Sequence, residues 1–277
     1  MTSMKMYICG CVRNTASYID AVFLNIEKIC SELDDYHIII SYDESEDNSL
    51  EILQKYKVKY QNKMSLLIGN EQLSEIRTQN ISNARNKILQ NIQSLNYEDF
   101  NYFIMMDMDD VCADPINIEV LKYIFQKEKT TPLEWDALSF NRIKYYDIWA
   151  LSIEPYTFSC WHYQNGTKIA TYMRNFIQNK LREVAFQHKN DGLLSCFSAF
   201  NGFAIYRKDK FLNVQYEWNV QKLLAICSKS FINSMSSHLM QQPIPRVDDC
   251  EHRYFHIRAS QLNQARICIS PMFLFNN

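Results

Sequence analysis

The stretch FIMMDMDDV, Phe103 to Val111, decides how this chain is read. Four apolar residues in succession, Phe103-Ile104-Met105-Met106, suit a short strand buried on both faces. The run then stops in Asp107, Asp109 and Asp110. A parallel strand delivers its last residues to the carboxyl edge of the sheet, where open α/β folds bind their ligands. Carboxylates crowded there repel one another and raise each other's pKa unless a cation lies between them. Mn²⁺ or Mg²⁺ suits such a place, because it takes one or two carboxylates and completes its shell with diphosphate oxygens. Asp107 and Asp109 are therefore the expected metal ligands.

Outward from this stretch, strands and helices alternate. Lys5 to Val12 reads as a buried strand, and residues 17–33 carry Ile19, Val22, Phe23, Ile26 and Ile29 at helical spacing. His37 to Tyr42 is a strand that ends in the acidic run Asp43-Glu44-Ser45-Glu46-Asp47. A short helix over 49–56 and a strand over 64–68 follow. A helix over 81–92 then has Ile81, Ala84, Ile88 and Ile92 on one face. This rhythm predicts a doubly wound sheet with parallel strands. Arg13-Asn14, Asp43–Asp47 and Asp107–Asp110 then lie on one edge. Asp114-Pro115 reads as an N-cap followed by proline at the first helical position.

The 277 residues are 47% apolar and 22% charged, an ordinary globular composition. A formal net charge of -2 gives no electrostatic case for nucleic acid as a partner. The N-terminal MTSMKMYICGCVRN has no long apolar signal-peptide core, and no apolar run is long enough to span a bilayer. The expectation is a cytoplasmic protein without a transmembrane segment. Nine scattered cysteines then read as reduced thiols. The pairs Cys9/Cys11, Cys160/His162 and Cys250/His252 lack the CxxC form of a structural zinc site.

Three metal-site readings compete for the Asp-x-Asp. An EF-hand fails, because a loop starting at Asp107 puts Cys112 where glycine is required. A haloacid-dehalogenase-type phosphatase also places Asp-x-Asp after an apolar strand, and Asp248-Asp249 could serve as its later acidic pair. Its nucleophile, however, usually sits on the first strand. The third reading is a resemblance. The strand ending in Asp107-Met108-Asp109, about a hundred residues into the chain, resembles the GT-A glycosyltransferases. So do Cys11-Val12-Arg13-Asn14 after the first strand, the acidic turn at Asp43, and Asn83-Ala84-Arg85-Asn86 before the Asp-x-Asp strand. Ser198 to Arg207, which contains Asn201-Gly202, resembles their acceptor-side segment. Asp249-Cys250-Glu251-His252-Arg253-Tyr254-Phe255-His256 resembles the C-terminal segment of a viral and fungal branch that includes the capsule-associated mannosyltransferases.

The resemblance implies a single GT-A domain, α/β with a Rossmann-like, doubly wound mixed sheet. Residues 1–112 would bind the nucleotide sugar and 113–277 the acceptor, a glycan or another hydroxyl compound. Cys11, Val12, Arg13, Asp43, Arg85, Asp107 and Met108 would hold a UDP- or GDP-linked donor. A cation on Asp107 and Asp109 would be completed by His252 or His256, both of which face one way whether their segment is helical or extended. Asn201, Gly202 and Trp161 would meet the acceptor, and the aromatic stretch Tyr145–Trp161 would wall it. Inverting chemistry needs a carboxylate base, for which Asp248, Asp249 and Glu251 are available. A catalytically inactive nucleotide-sugar-binding protein of the same fold is the remaining alternative.

Overall fold

The computed structural model describes residues 4–69, 72–130, 134–188 and 192–275. Met1–Ser3, part of the N-terminal stretch read above for a signal peptide, lie outside them. Strands β1 (Lys5–Val12), β2 (Asp35–Tyr42), β3 (Met64–Ile68) and β4 (Tyr102–Asp107) alternate with helices α1 (Ala16–Cys30), α2 (Ser49–Tyr60) and α3 (Arg77–Leu95). After α4 (Ile118–Thr130) come β5 (Ala137–Asn141), α5 (Gly166–His188), β6 (Leu194–Cys196) and β7 (Phe203–Arg207). Helices α6 (Lys208–Phe211), α7 (Val220–Ile226), α8 (Lys229–Leu239) and α9 (Glu251–Asn263) precede β8 (Ile267–Phe273). The described strands form one eight-stranded sheet in the order β3-β2-β1-β4-β7-β5-β8-β6.

The expected parallel half is present. β1 pairs in parallel with β2 and with β4, and β2 with β3. Beyond β4 the sheet becomes mixed, because β7 runs antiparallel to both β4 and β5. The register sets the site. Cys11 pairs with Asp107, and Val12 with Tyr42, so the ends of β1, β2 and β4 reach one edge together.

Alternation along the strands builds two cores. Ile8, Ile38, Ile40, Ile104 and Met106 face one side and pack with Ile19, Val22, Phe23 and Ile26 of α1. Tyr7, Cys9, Ile39, Phe103 and Met105 face the other side and pack with Ile88, Leu89 and Ile92 of α3. Each such side chain contributes about 1.5–3 kcal/mol on burial, so a one-residue slip of β4 would exchange its two faces and be strongly disfavoured.

One local expectation fails. Asp114 does not cap α4, which starts only at Ile118. Ile116 instead bridges Phe275, and the Asn117 amide donates to the Leu274 carbonyl at 2.8 Å. This extended pairing with the C-terminal segment holds 116–117 out of helical geometry. The Asp114 carbonyl accepts from the Asn25 side chain at 2.7 Å.

Candidate active site

The loops at the carboxyl edge are tied to one another. Asn14 donates its amide to Ser45 Oγ at 3.0 Å and accepts from the Glu46 amide at 2.7 Å. Asp47 accepts from the amides of Ala16 and Ser49 at 2.9 and 3.0 Å. Most of the acidic run thus fastens the β1 loop to the β2 loop and caps α1 and α2. Asp107 donates its amide to the Gly202 carbonyl at 2.9 Å, which fixes the end of β4 against the start of β7. Gly202 has φ +86°, and a Cβ there would strike Val111. Only glycine meets both conditions without strain. Gly10 likewise lies where a Cβ would strike the Met108 side chain.

Two adjoining cavities open on this edge. The first, about 350 Å³, is lined by Cys11, Val12, Arg13, Asp43, Asn80 and Met108 among others. The second, about 300 Å³, includes Tyr146, Asp147, Trp149, Trp161, Arg174 and Glu251 in its wall. Arg77, Ile81, Arg85, Asp107 and Asp109 line both.

Arg85 organises the charge between them. Its guanidinium is buried, lies 3.3 Å from Asp107 Oδ1, and also contacts the Glu251 carboxylate and His252 Nε2. Burial opposes its charge, but Glu251 and Asp107 more than restore it. Tyr146 donates its hydroxyl to Asp107 Oδ2 at 3.0 Å. Even so, burial and the neighbouring Asp109 push the Asp107 carboxyl up to about 7. Asp109 is also pushed up, by burial, although it accepts from the Val111 amide at 3.1 Å.

This pair fits a divalent cation. Both carboxylates are desolvated, each retains oxygen lone pairs, and the two disfavour each other's charge. Among the described residues no group of three or more His, Cys, Asp or Glu side chains could hold a metal ion. The pair therefore suits a cation that takes the rest of its shell from ligand oxygens and water.

The Glycosyl transferase family 2 model matches residues 7–212. The chain belongs to this family. No curated protein sequence matches it significantly. Among solved structures, S. aureus TarS 1–349 in complex with UDP is 15% identical, covers 99% of this chain and 60% of its own, and has a TM-score of 0.48. A mannosyltransferase from Pyrobaculum calidifontis, in complex with GDP-Man and Mn²⁺, is 13% identical, covers 76% of this chain and 47% of its own, and has a TM-score of 0.41. The chain thus spans less than two thirds of the length of these structures.

Within this family 2 chain, the structure brings most of the expected residues to the two cavities and withdraws several. His256 is withdrawn. Its ring is fully buried, with Nδ1 on Ser198 Oγ at 2.9 Å and Nε2 on Tyr206 Oη at 3.0 Å, so neither nitrogen is open to a cation. His252 reaches the second cavity and stacks on Phe200 at 3.9 Å. Burial and Arg85 push its pKa well down, so it is neutral, but its Nε2 meets the guanidinium. Arg85 therefore stands where the metal was expected to join this histidine to Asp107.

The expected bases are displaced too. Asp249 accepts from Arg253 Nε at 2.9 Å, Trp149 Nε1 at 3.1 Å and the Cys250 amide at 2.7 Å, and it lies outside both cavities. Burial acts against its charge, yet Arg253 and His162 hold its pKa below the ordinary value. Asp248 is engaged by Thr78 and Arg246 at 3.1 and 3.0 Å and also lies outside. Glu251 lines the second cavity but is paired with Arg85. Asn201 is a scaffold residue. It accepts from the amides of Tyr146 and Asp147 at 3.0 and 3.2 Å and donates to the Phe140 carbonyl at 2.9 Å. Gly202 acts through its backbone, whereas Trp161 lines the second cavity.

Sequence reasoning missed Arg77, Asn80, Asp147 and Arg174. Helix α3 begins at Arg77, a turn before the apolar pattern reveals it, and so carries Arg77 and Asn80 to the first cavity. Asp147 had a signal, as the lone acid within the aromatic run YYDIW. Arg174 had none.

Proposed function

We propose that this chain transfers a sugar from a UDP- or GDP-linked donor to a hydroxyl of a glycan or another acceptor, with Mn²⁺ or Mg²⁺ on Asp107 and Asp109. The observation that carries the reading is the half-buried carboxylate pair at the end of β4, shared by two cavities of different character. The nucleotide is assigned to the first cavity, where Asp43 is an acceptor for a base imino group and Arg13 and Arg77 are cations for phosphate. The sugar and acceptor are assigned to the second, where the ring faces of Tyr146, Trp149 and Trp161 suit sugar rings.

The bond to be broken joins the anomeric carbon to a phosphate oxygen, and negative charge grows on the departing diphosphate. A divalent cation supplies Lewis-acid neutralisation of that charge when bound. Arg85 keeps Asp107 oriented, and Arg77 adds positive charge on the nucleotide side. Membership of family 2 leaves the phosphatase reading without support. An inactive nucleotide-sugar-binding protein differs from an enzyme in one measurable respect. The test is melting with UDP or GDP and Mn²⁺, followed by assay of nucleoside-diphosphate release from a panel of sugar nucleotides. Stabilisation together with release supports the proposal, and stabilisation without release identifies the inactive protein.

A further inference from the structure

We propose that Arg174 selects an acidic acceptor, by holding a carboxylate or phosphate group carried on the acceptor's sugar. The inference rests on the glycosyl-transfer reading above and names the class of acceptor. Three arginines line the second cavity. Arg85 is committed to Glu251 and Asp107. Arg77 is exposed, opens α3 and lines both cavities, on the side assigned to the donor. Arg174 is half-buried and lines the second cavity without the first.

Helix α5 sets its position. The helix opens at Gly166, so close to Trp161 that a Cβ there would lie 2.9 Å from the indole. Its buried face, Ile169, Met173 and Ile177, packs in one core with Tyr145 and Ile148. Arg174 stands at the margin of that face, about two turns from Gly166, and donates from Nε to the Tyr145 carbonyl at 2.9 Å. That bond fixes the root of the guanidinium against the aromatic wall. Its two terminal nitrogens make no hydrogen bond or ion pair with a described residue, and neither is enclosed.

A half-buried guanidinium has given up part of its water, a cost that a carboxylate normally offsets. None of the described carboxylates does so here. The one acid of α5, Glu183, pairs with Lys180 at 2.9 Å. In the cavity wall Asp107 and Glu251 are taken by Arg85, and neither Asp109 nor Asp147 forms an ion pair with Arg174. The wall therefore presents a positioned fork of N–H donors, whose geometry matches a carboxylate or phosphate bound through two parallel hydrogen bonds. The donor diphosphate is not that anion, because it is assigned to the first cavity, which Arg174 does not line. A sugar lying on Trp161 places an acidic substituent within the reach of Arg174. The acceptor class is a glycan bearing uronic acid or sugar phosphate.

The test uses the full chain with Mn²⁺ and UDP or GDP. Short oligosaccharides ending in glucose, glucuronic acid or glucose 6-phosphate are titrated by calorimetry into the parent, Arg174→Gln and Arg174→Lys. The parent is expected to bind one acidic end about 10–100-fold more tightly than the glucose end, and which end it prefers identifies the carboxylate or the phosphate. Arg174→Gln should abolish the preference. Arg174→Lys should keep part of it, because an ammonium retains the charge without the fork. An Arg174 that served only to hold Tyr145 would weaken all three ligands alike when replaced, and that result overturns the proposal. So does equal binding of the three ends by the parent, binding of none, or a preference that survives in Arg174→Gln. A melting shift larger with UDP-glucuronic acid than with UDP-glucose, and lost in Arg174→Gln, gives the anion to the donor and overturns the acceptor assignment. If Arg174→Gln does not fold, the parent's preference and its change in Arg174→Lys decide. A parent that releases nucleotide from no sugar nucleotide sinks the glycosyl-transfer reading, a failure read separately from the binding preference.

Discussion

Replacing Arg85 with methionine tests how the site is held together. The residue is 6% exposed, and its guanidinium serves Glu251, Asp107 and His252 at once. Methionine keeps much of the volume and the contact with Phe200, whose ring centre lies 4.8 Å from the Arg85 guanidinium carbon. What is lost is the charge. Glu251, itself 4% exposed, is left buried and unpaired. Breaking a buried pair from one side costs about 3–5 kcal/mol. For a chain of this size each kcal/mol shifts Tm by about 2–4 °C, so a loss of about 6–20 °C is expected. The assay is thermal melting of the parent, Arg85→Met and the double variant Arg85→Met/Glu251→Gln. The double variant removes the orphaned charge and should recover more than half of the lost Tm while remaining inactive, because Asp107 still lacks its guanidinium. A single variant melting within about 2 °C of the parent would refute the reasoning, since it would mean that Glu251 is solvated or protonated without help from Arg85.

Asp107→Ala and Asp109→Ala should each abolish nucleoside-diphosphate release while the protein stays folded, and EDTA should do the same to the parent; full activity in either variant sinks the cation assignment. His256→Ala should lower Tm, because Ser198 and Tyr206 lose a buried partner, yet leave Mn²⁺ affinity in the presence of UDP or GDP unchanged, and a Mn²⁺ titration checks this. Gly202→Ala should cost about 1–3 kcal/mol at a φ of +86°, read as a drop in the urea midpoint, with activity reduced through the displaced end of β4. Asp136 bears on acid stability: burial opposes its charge, but Arg266 and then Arg207 hold its pKa below the ordinary 3.8. A depressed folded-state pKa contributes stability that is complete above the unfolded value and lost as pH falls through the folded one. Urea midpoints should therefore fall below about pH 4 in the parent and respond less to pH in Asp136→Asn.

The parallel half of the fold was legible because its signals are local. Continuous apolar runs and strand-end polarity in 5–12, 37–42 and 103–107 specify buried strands and a shared edge. The antiparallel placement of β7 between β4 and β5 was not legible, since no local pattern states which strand lies beside which. The start of α4 was misread for a related reason. Asp114-Pro115 has the composition of a cap, but pairing with Leu274 and Phe275, remote in sequence, overrode it.

The site divides along the same line. That Asp107, Asp109, Arg85 and Asp43 meet at one cavity was legible because strand ends and helix faces announce them. The roles of the acids near the C-terminus were not, because a carboxylate's job depends on which cation tertiary folding brings to it. Arg253 is fully buried at the start of α9, and besides Asp249 it donates to the carbonyls of Leu151 and Trp149. That network binds the Tyr145–Trp161 wall to α9 and consumes Asp249 in doing so. Arg85 consumes Glu251 in the same manner one turn of space away, and Arg246 engages Asp248. Three acids expected to do chemistry thus pair with arginines, two of them, Arg85 and Arg253, buried and the third, Arg246, exposed. Among the described acids of the second cavity, Asp109 and Asp147 form no ion pair, and they sit at a strand end and in the wall. Burial drives this division: an arginine sunk in the core must be paired, so the nearest carboxylates go to structure first, and only the remainder is open to substrate.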